Sequence, residues 1–423
     1  MKKVLILTYY FPPLGLGGTQ RVAKFVKYLP QFGWQPTVVT VKPIVYWALD
    51  ESLMKDVEGV EIIRTESFDP QRLLARFGRT TIRPSVGEKR ASFIALINEK
   101  VLPYVVTPDS KILWSAFALR ATKQLFAKEK FDVLLTTSPP HSVHLIGSKI
   151  SKKYRLPWLA DFRDGWAGSH VVHEPTVRHF KRNQKSQQAV VRSADAVTCI
   201  SSAIQNSFNA DEMADKFHII ANGYDPEDFN IAVSAKQDSF TLCYCGAINR
   251  FADPEQFLDA LVLLKQRNPN EYEKLKVQFV GYDTLGNFQE MVDERGLNCV
   301  DIVGHKPHAQ SVGYLKSADA LLLIAKARPE DTFIPGKTFE YFGAQKPIFA
   351  ISNSAPTNAL LSETSPGTLI SSFRVDDIYA RLGEFLAADL HSKEINENYI
   401  RQFDRQVQTQ QLSEILTHIT KRS

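Results

Sequence analysis

Short apolar runs alternate with helix-like stretches along this chain, and halfway along the alternation starts again. The run 4–10 (Val-Leu-Ile-Leu-Thr-Tyr-Tyr) suits a strand buried on both faces. After a Gly-rich loop at 15–19, Val22, Phe25, Val26 and Leu29 recur at helical spacing, with Thr19 placed to cap that helix. Gly33 ends it, and 36–41 reads as a second strand, which completes a βαβ unit. Residues 43–125 are less regular. Strands then follow at 133–137, 158–161 and 196–200, with helices over 142–154 and 174–192 between them. The second series places strands at 240–245, 277–281, 300–303, 320–324, 348–351 and 368–370. Such alternation implies parallel sheets with crossover helices, twice over. A polar, aperiodic stretch up to Ser239 separates a first domain over 1–225 from a second over 226–395. The remainder, 396–423, carries an amphipathic helix expected over 396–420, able to pack back on the first domain. Length agrees, since 423 residues suit two domains of roughly 200 each.

Composition narrows the class. Lys and Arg number 51 against 46 for Asp and Glu, a net +5 that is too small to argue for nucleic acid. The excess is uneven: Arg72, Arg76, Arg79, Arg83, Lys89 and Arg90 interleave with Leu73, Leu74, Phe77 and Ile82. A basic, apolar stretch of this kind suits either a peripheral contact with an anionic membrane or a solvated helical face. The four cysteines are too scattered for a disulfide framework, and Cys243 and Cys245 alternate within a strand, as buried thiols do. The N-terminal apolar run is too short for a signal peptide, and no run approaches the roughly 20 residues of a membrane span. The cytoplasm is the expected location.

Doubly wound domains bind ligands at the carboxyl ends of their strands, so the loops directly after strands matter most. Two such domains facing each other would make a cleft. The segment 333–342 follows the run 320–324 and sets a Pro335-Gly336 turn at the mouth of a helix, where backbone amides suit an anion. Lys337 adds a positive charge there, and Glu340 offers an acceptor-only group for a sugar diol. A capped surface helix with a solvated Lys and Glu would carry the same residues. Gly17 and Gly18 would let backbone approach a diphosphate closely. Arg250 and Lys337 are candidates to stabilise charge on a leaving phosphate. Asp161, Arg163 and Asp164 read as acceptor-side catalytic groups: one carboxylate would orient or deprotonate a hydroxyl, with Arg163 near the reacting phosphate. The alternative is that Asp164 caps a helix and pairs with Arg163. His141, after two prolines, is a further acceptor-side candidate or a plain loop residue. No Asp-x-Asp occupies an obvious site, so no metal and no other cofactor is expected.

Together the motifs 17–21 (Gly-Gly-Thr-Gln-Arg), 137–142 (Thr-Ser-Pro-Pro-His-Ser), 157–164, 222–225, 244–246 and 335–341 resemble the retaining GT-B glycosyltransferases of the family 4 type. The resemblance spans essentially the whole chain. It implies an α/β GT-B fold of two Rossmann-like domains, and sugar transfer from a nucleoside-diphosphate donor to a glycan or lipid-linked acceptor, in polysaccharide or envelope assembly. Glu340 then matches the carboxylate that holds the donor ribose; Gly17, Gly18, Gly246, Pro335, Gly336 and Lys337 join it on the donor side. Arg21 and His141 fall on the acceptor side. The chain departs from the family at Thr332, where a second Glu is common, at Arg163, where many members have His, and at Ala247 and Ile248, which reduce a phosphate-binding cluster to Arg250. Glu330 or Asp331 could replace the missing Glu. A dinucleotide-dependent oxidoreductase is disfavoured, because Gln20 holds the third Gly position and Val41-Lys42 lacks the acidic residue after strand two. A sugar-nucleotide epimerase of the same fold and a catalytically silent nucleotide-sugar scaffold remain alternatives.

Overall fold

The computed structural model describes residues 1–15, 17–46, 49–76, 102–169, 172–231, 239–328, 334–364, 369–388 and 396–422. The chain forms two compact units, one of 1–222 with 405–423 and one of 223–404.

The first unit holds a seven-stranded sheet in the order β3-β2-β1-β4-β5-β6-β7. Its strands are β1 (Lys2–Leu7), β2 (Trp34–Val41), β3 (Glu61–Thr65), β4 (Val133–Ser138), β5 (Trp158–Phe162), β6 (Ala196–Cys199) and β7 (Phe217–Ile219). All pairings are parallel. The continuous apolar run in β1 is explained by its two faces. Val4 and Ile6 pack with Val22, Phe25 and Val26, whereas Leu5 and Leu7 pack with Trp114, Val143 and Ile146. Helix Gly17–Tyr28 starts two residues before Thr19, which therefore lies inside it rather than at its cap.

The second unit repeats the plan in the order β10-β9-β8-β11-β12-β13, again parallel throughout. Here the strands are β8 (Phe240–Cys245), β9 (Leu275–Val280), β10 (Val300–Gly304), β11 (Ala320–Ala325), β12 (Ile348–Ser352) and β13 (Leu369–Ile370). Cys243 and Cys245 are buried free thiols within β8. In each sheet the strand order reverses beside the first strand, between β1 and β4 and between β8 and β11. A crevice opens at such a switch point, outside the carboxyl ends of the strands.

The single helix expected over 396–420 is broken. Asp404 is extended (φ −64°, ψ 127°) between a short helical segment ending at Phe403 and the helix Arg405–Arg422. The two pieces serve different cores. Phe403 meets Phe339 and Phe342, with ring centroids 5.2 and 5.7 Å away. Leu412, Leu416 and Ile419 instead pack with Val4 and Ile6 of β1.

Candidate functional site

Asp161, next to last in β5, is buried in the first unit, and its carboxylate is occupied. It accepts Arg21 Nη2 at 2.8 Å and Nε at 3.3 Å, the Thr137 hydroxyl at 2.8 Å and the Thr198 hydroxyl at 2.7 Å. Arg21 Nη1 donates to the Ala221 carbonyl at 2.7 Å. Burial pushes the Asp161 carboxyl up, but Arg21 and the two hydroxyls outweigh it and leave the pKa below the usual carboxylate value. Both residues are fully enclosed. The expected roles, Asp161 as catalytic carboxylate and Arg21 as acceptor contact, are thus corrected: the pair ties helix Gly17–Tyr28 to β4, β5 and β6.

Two residues on, Arg163 is a different case. Its Nε donates to the Ser138 carbonyl at 3.0 Å and its Nη2 to the Pro139 carbonyl at 3.1 Å. The third nitrogen, Nη1, is buried without a hydrogen-bond partner. A Cβ built on Gly18 would stand 1.7 Å from that nitrogen. Only glycine at 18 leaves this space, so a buried guanidinium abuts the first turn of helix Gly17–Tyr28 at the β1/β4 switch point. Burial lowers the Arg163 pKa, and Asp164 and then Asp161 oppose that. A buried donor without a partner costs stability unless something accepts from it, and an anion is the natural acceptor.

His141 reaches the same region as a wall. Its Nε2 donates to the Gly165 carbonyl at 3.1 Å, its Nδ1 lies 3.1 Å from the Ser138 hydroxyl, and its ring stacks on Trp166 at 5.0 Å. Burial pulls its pKa down to about 3, so it is neutral with both nitrogens engaged. That corrects the expectation of direct acceptor contact through its nitrogens. His141 lines a cavity of about 290 Å³ together with Tyr10, Val106, Asp109, Lys111 and Pro139. Asp109 accepts the Ser142 amide at 3.0 Å and hydroxyl at 2.7 Å, fixing the start of helix Ser142–Tyr154. Tyr10, its ring centroid 5.4 Å from that of Tyr46, and Asp109 are wall residues that no sequence motif singled out.

In the second unit the chain after β8 turns at Gly246 (φ +142°) and the chain after β9 at Gly281 (φ +153°), where a Cβ would fall 2.0 Å from the Gly246 carbonyl oxygen. The Pro335-Gly336 turn opens helix Lys337–Ala344 as expected, with Gly336 at the N-cap. The amides of Thr338 and Phe339 close back on the carbonyls of Pro335 and Gly336, and Lys337 is the first residue of the helix. Its Nζ donates to the Tyr244 hydroxyl, lies 3.9 Å from that ring's centroid, and would be 3.0 Å from a Cβ on Gly246. Burial lowers the Lys337 pKa to about 7, and Cys245 and Glu340 oppose the shift. Tyr341 locks the helix in place, its hydroxyl accepting the Cys245 amide at 2.9 Å and donating to the Leu322 carbonyl at 3.0 Å.

Glu340 stands one turn inside, with Oε1 3.3 Å from His308 Nε2, and His308 Nδ1 is 3.9 Å from Asp228. Sequence reasoning passed over His308, because nothing near it in the chain marks it. Arg250, expected beside Lys337, is instead exposed, with its guanidinium 4.6 Å from the centroid of the Phe251 ring. Thr332, with Glu330 and Asp331, lies outside the described residues, as do Arg79, Arg83, Lys89 and Arg90. Arg72 pairs with Glu66 at 2.8 Å.

Solved structures of the same architecture are numerous, at low identity. Sucrose-phosphate synthase of Thermosynechococcus elongatus matches with a TM-score of 0.65 at 14% identity, covering 100% of both chains. A glycosyltransferase from Rickettsia africae ESF-5 gives 0.65 at 16%, covering 100% of this chain and 99% of its own. Anabaena Alr3699/HepE in complex with UDP gives 0.62 at 16%, covering 99% and 100%. These likenesses show the GT-B fold. No protein of curated function matches by sequence. Residues 16–228, however, match Glycosyltransferase Family 4. The chain belongs to Glycosyltransferase Family 4 and is a glycosyltransferase.

Proposed function

We propose that this enzyme moves a sugar, with retention at the anomeric carbon, from a nucleoside-diphosphate sugar to a glycan or lipid-linked acceptor in envelope polysaccharide assembly, at the cytoplasmic face of a membrane. The observation that carries the donor class is the placement of a cation against a glycine at each switch point, the buried Arg163 at Gly18 and the half-buried Lys337 at Gly246. Cleaving a glycosyl–diphosphate bond develops negative charge on the departing phosphate, and fixed cations in a dry setting stabilise it without reorganising. Glu340, oriented by His308, supplies the acceptor pair for the ribose diol. The related Anabaena HepE was solved with UDP and with UDP-glucose, which supports the same donor class here. The cavity beside His141 and Pro139 is the acceptor's place in this reading, and no metal is called on. Within the second unit Lys337, Gly246, Pro335, Gly336 and Glu340 are the donor residues of this reading; within the first, Arg163 stands against Gly18.

Thermal-shift screening against UDP-, GDP- and ADP-sugars, with EDTA present, tests this directly. One nucleotide class is expected to raise the melting temperature, and Glu340→Ala to remove most of that rise. No response to any of the three, or a rise untouched by the substitution, contradicts the donor site. Transfer without epimerised sugar in the products separates this reading from an epimerase.

The pH dependence has a defined sign. Below about 7 Lys337 is charged, and above it a proton must be taken up when the diphosphate binds. The donor's diphosphate is esterified at both ends, so its charge is constant over this range. The donor dissociation constant is therefore expected to rise about tenfold per pH unit above pH 7. Lys337→Met should bind weakly with a flat profile between pH 7 and 9; a steep profile in that variant contradicts the assignment.

A further inference from the structure

The cavity of about 290 Å³ in the first unit is large enough for a sugar ring or for a chain of roughly ten carbons, at about 30 Å³ for each water-sized group. Size does not choose between them, but the chemistry of the wall does. The Asp109 carboxylate takes three donors, the Lys111 amide at 3.0 Å besides the Ser142 amide and hydroxyl. The Lys111 ammonium donates to Asp69 at 3.1 Å and to Gln71 at 2.8 Å. Both nitrogens of His141 are engaged, with Ser138 and Gly165. These three polar side chains are spent on the protein itself. The wall between them is apolar, built by Leu102, Pro103, Val106, Pro108, Pro140 and Val172. Of its other polar residues, His173 is exposed, and Tyr10 and Ser110 are half-buried.

One side of the cavity meets the buried guanidinium. Pro139 lines the cavity, and its carbonyl accepts Arg163 Nη2 at 3.1 Å. Tyr10 stands on the same side. Desolvation pushes its phenol up, Tyr46 and then Asp109 act in the same sense, and Arg163 opposes them, so the hydroxyl is protonated and within electrostatic reach of the cation. We propose that this cavity holds the hydrocarbon chain of a lipid acceptor, whose polar head lies at Tyr10. A hydrocarbon gains about fourfold in affinity for every methylene it buries. A sugar would instead bury hydroxyls against side chains already committed elsewhere, and a buried hydroxyl without a partner weakens binding. This occupant rests on the reading of the cavity as the acceptor's place, and it narrows the acceptor from a glycan or a lipid-linked molecule to one whose chain the protein holds directly.

The test is calorimetric titration of methyl, hexyl and octyl β-D-glucopyranosides, each below its micelle concentration, into the full chain. Octyl glucoside is expected to bind about 15-fold more tightly than hexyl glucoside, for two methylenes at about fourfold each. Methyl glucoside should show no measurable binding. Val106→Trp fills the cavity and Leu102→Asp puts a charge on its wall. Both variants should lose the gain with chain length while keeping the near-UV circular dichroism of the wild type. No binding of any glucoside, equal affinity for hexyl and octyl glucoside, or the same gain in both variants overturns the proposal. Methyl glucoside that binds the wild type and is lost in both variants also overturns it, since the cavity would then be the acceptor's place but a site for sugar. Nucleotide-induced thermal shift should be equal in wild type and both variants, so a failed donor assignment and a failed chain assignment give different results.

Discussion

Arg163→Met is expected to lower kcat for sugar transfer by about 10²–10³-fold, the effect of removing one fixed charge-stabilising group worth about 2.7–4 kcal/mol. The expectation rests on the unpartnered Nη1, a buried donor held by two carbonyl bonds through its other nitrogens. Gly18→Ala should have a comparable effect without touching the charge, because the new methyl would stand 1.7 Å from Nη1 and one of them must move. Steady-state kinetics on both variants, with near-UV circular dichroism to confirm packing, makes the comparison. Rates within threefold of wild type for both would show that Arg163 is a packing residue.

Arg21→Met should act on stability. Removing one partner of a buried ion pair leaves the other charge uncompensated, at a cost of about 3–5 kcal/mol. Here the abandoned group is Asp161, fully enclosed and dependent on Arg21 for two of its four donors. At roughly 2–4 °C per kcal/mol for a unit of this size, the first unit's melting temperature should fall by roughly 6–20 °C. The double variant Arg21→Met with Asp161→Leu should recover much of that loss, since no buried charge remains. Scanning calorimetry reads both. A single variant that melts normally but fails to transfer sugar would return Asp161 to the catalytic role, and Arg21 to the acceptor-side role, that the sequence suggested.

The strands were legible because a parallel sheet needs apolar residues on both faces, and runs such as Val4 to Leu7 or Ala320 to Ile324 leave few other options. The Pro335-Gly336-Lys337 helix start was legible for a local reason too, since turn chemistry and helix position are set within a few residues. What stayed hidden depends on distant partners. Asp161 looked catalytic because carboxylates after strands often are; its real environment comes from Arg21, Thr137 and Thr198, spread across 177 positions of the chain. The space beside Arg163 is made by Gly18, and the neutral state of His141 by its burial, which outweighs the opposing pull of the Gly165 carbonyl. The break at Asp404 was hidden because the residues on both sides of it favour helix. It exists because Phe403 and Leu412 belong to different cores.

Calorimetric titration of nucleoside diphosphates into the wild type and Lys337→Met, with the matching nucleoside as control, addresses the central claim that Lys337 holds the donor's diphosphate. The account predicts that the variant binds the diphosphate at least tenfold more weakly while both proteins bind the unphosphorylated nucleoside alike. Equal diphosphate affinity in the two proteins would contradict it.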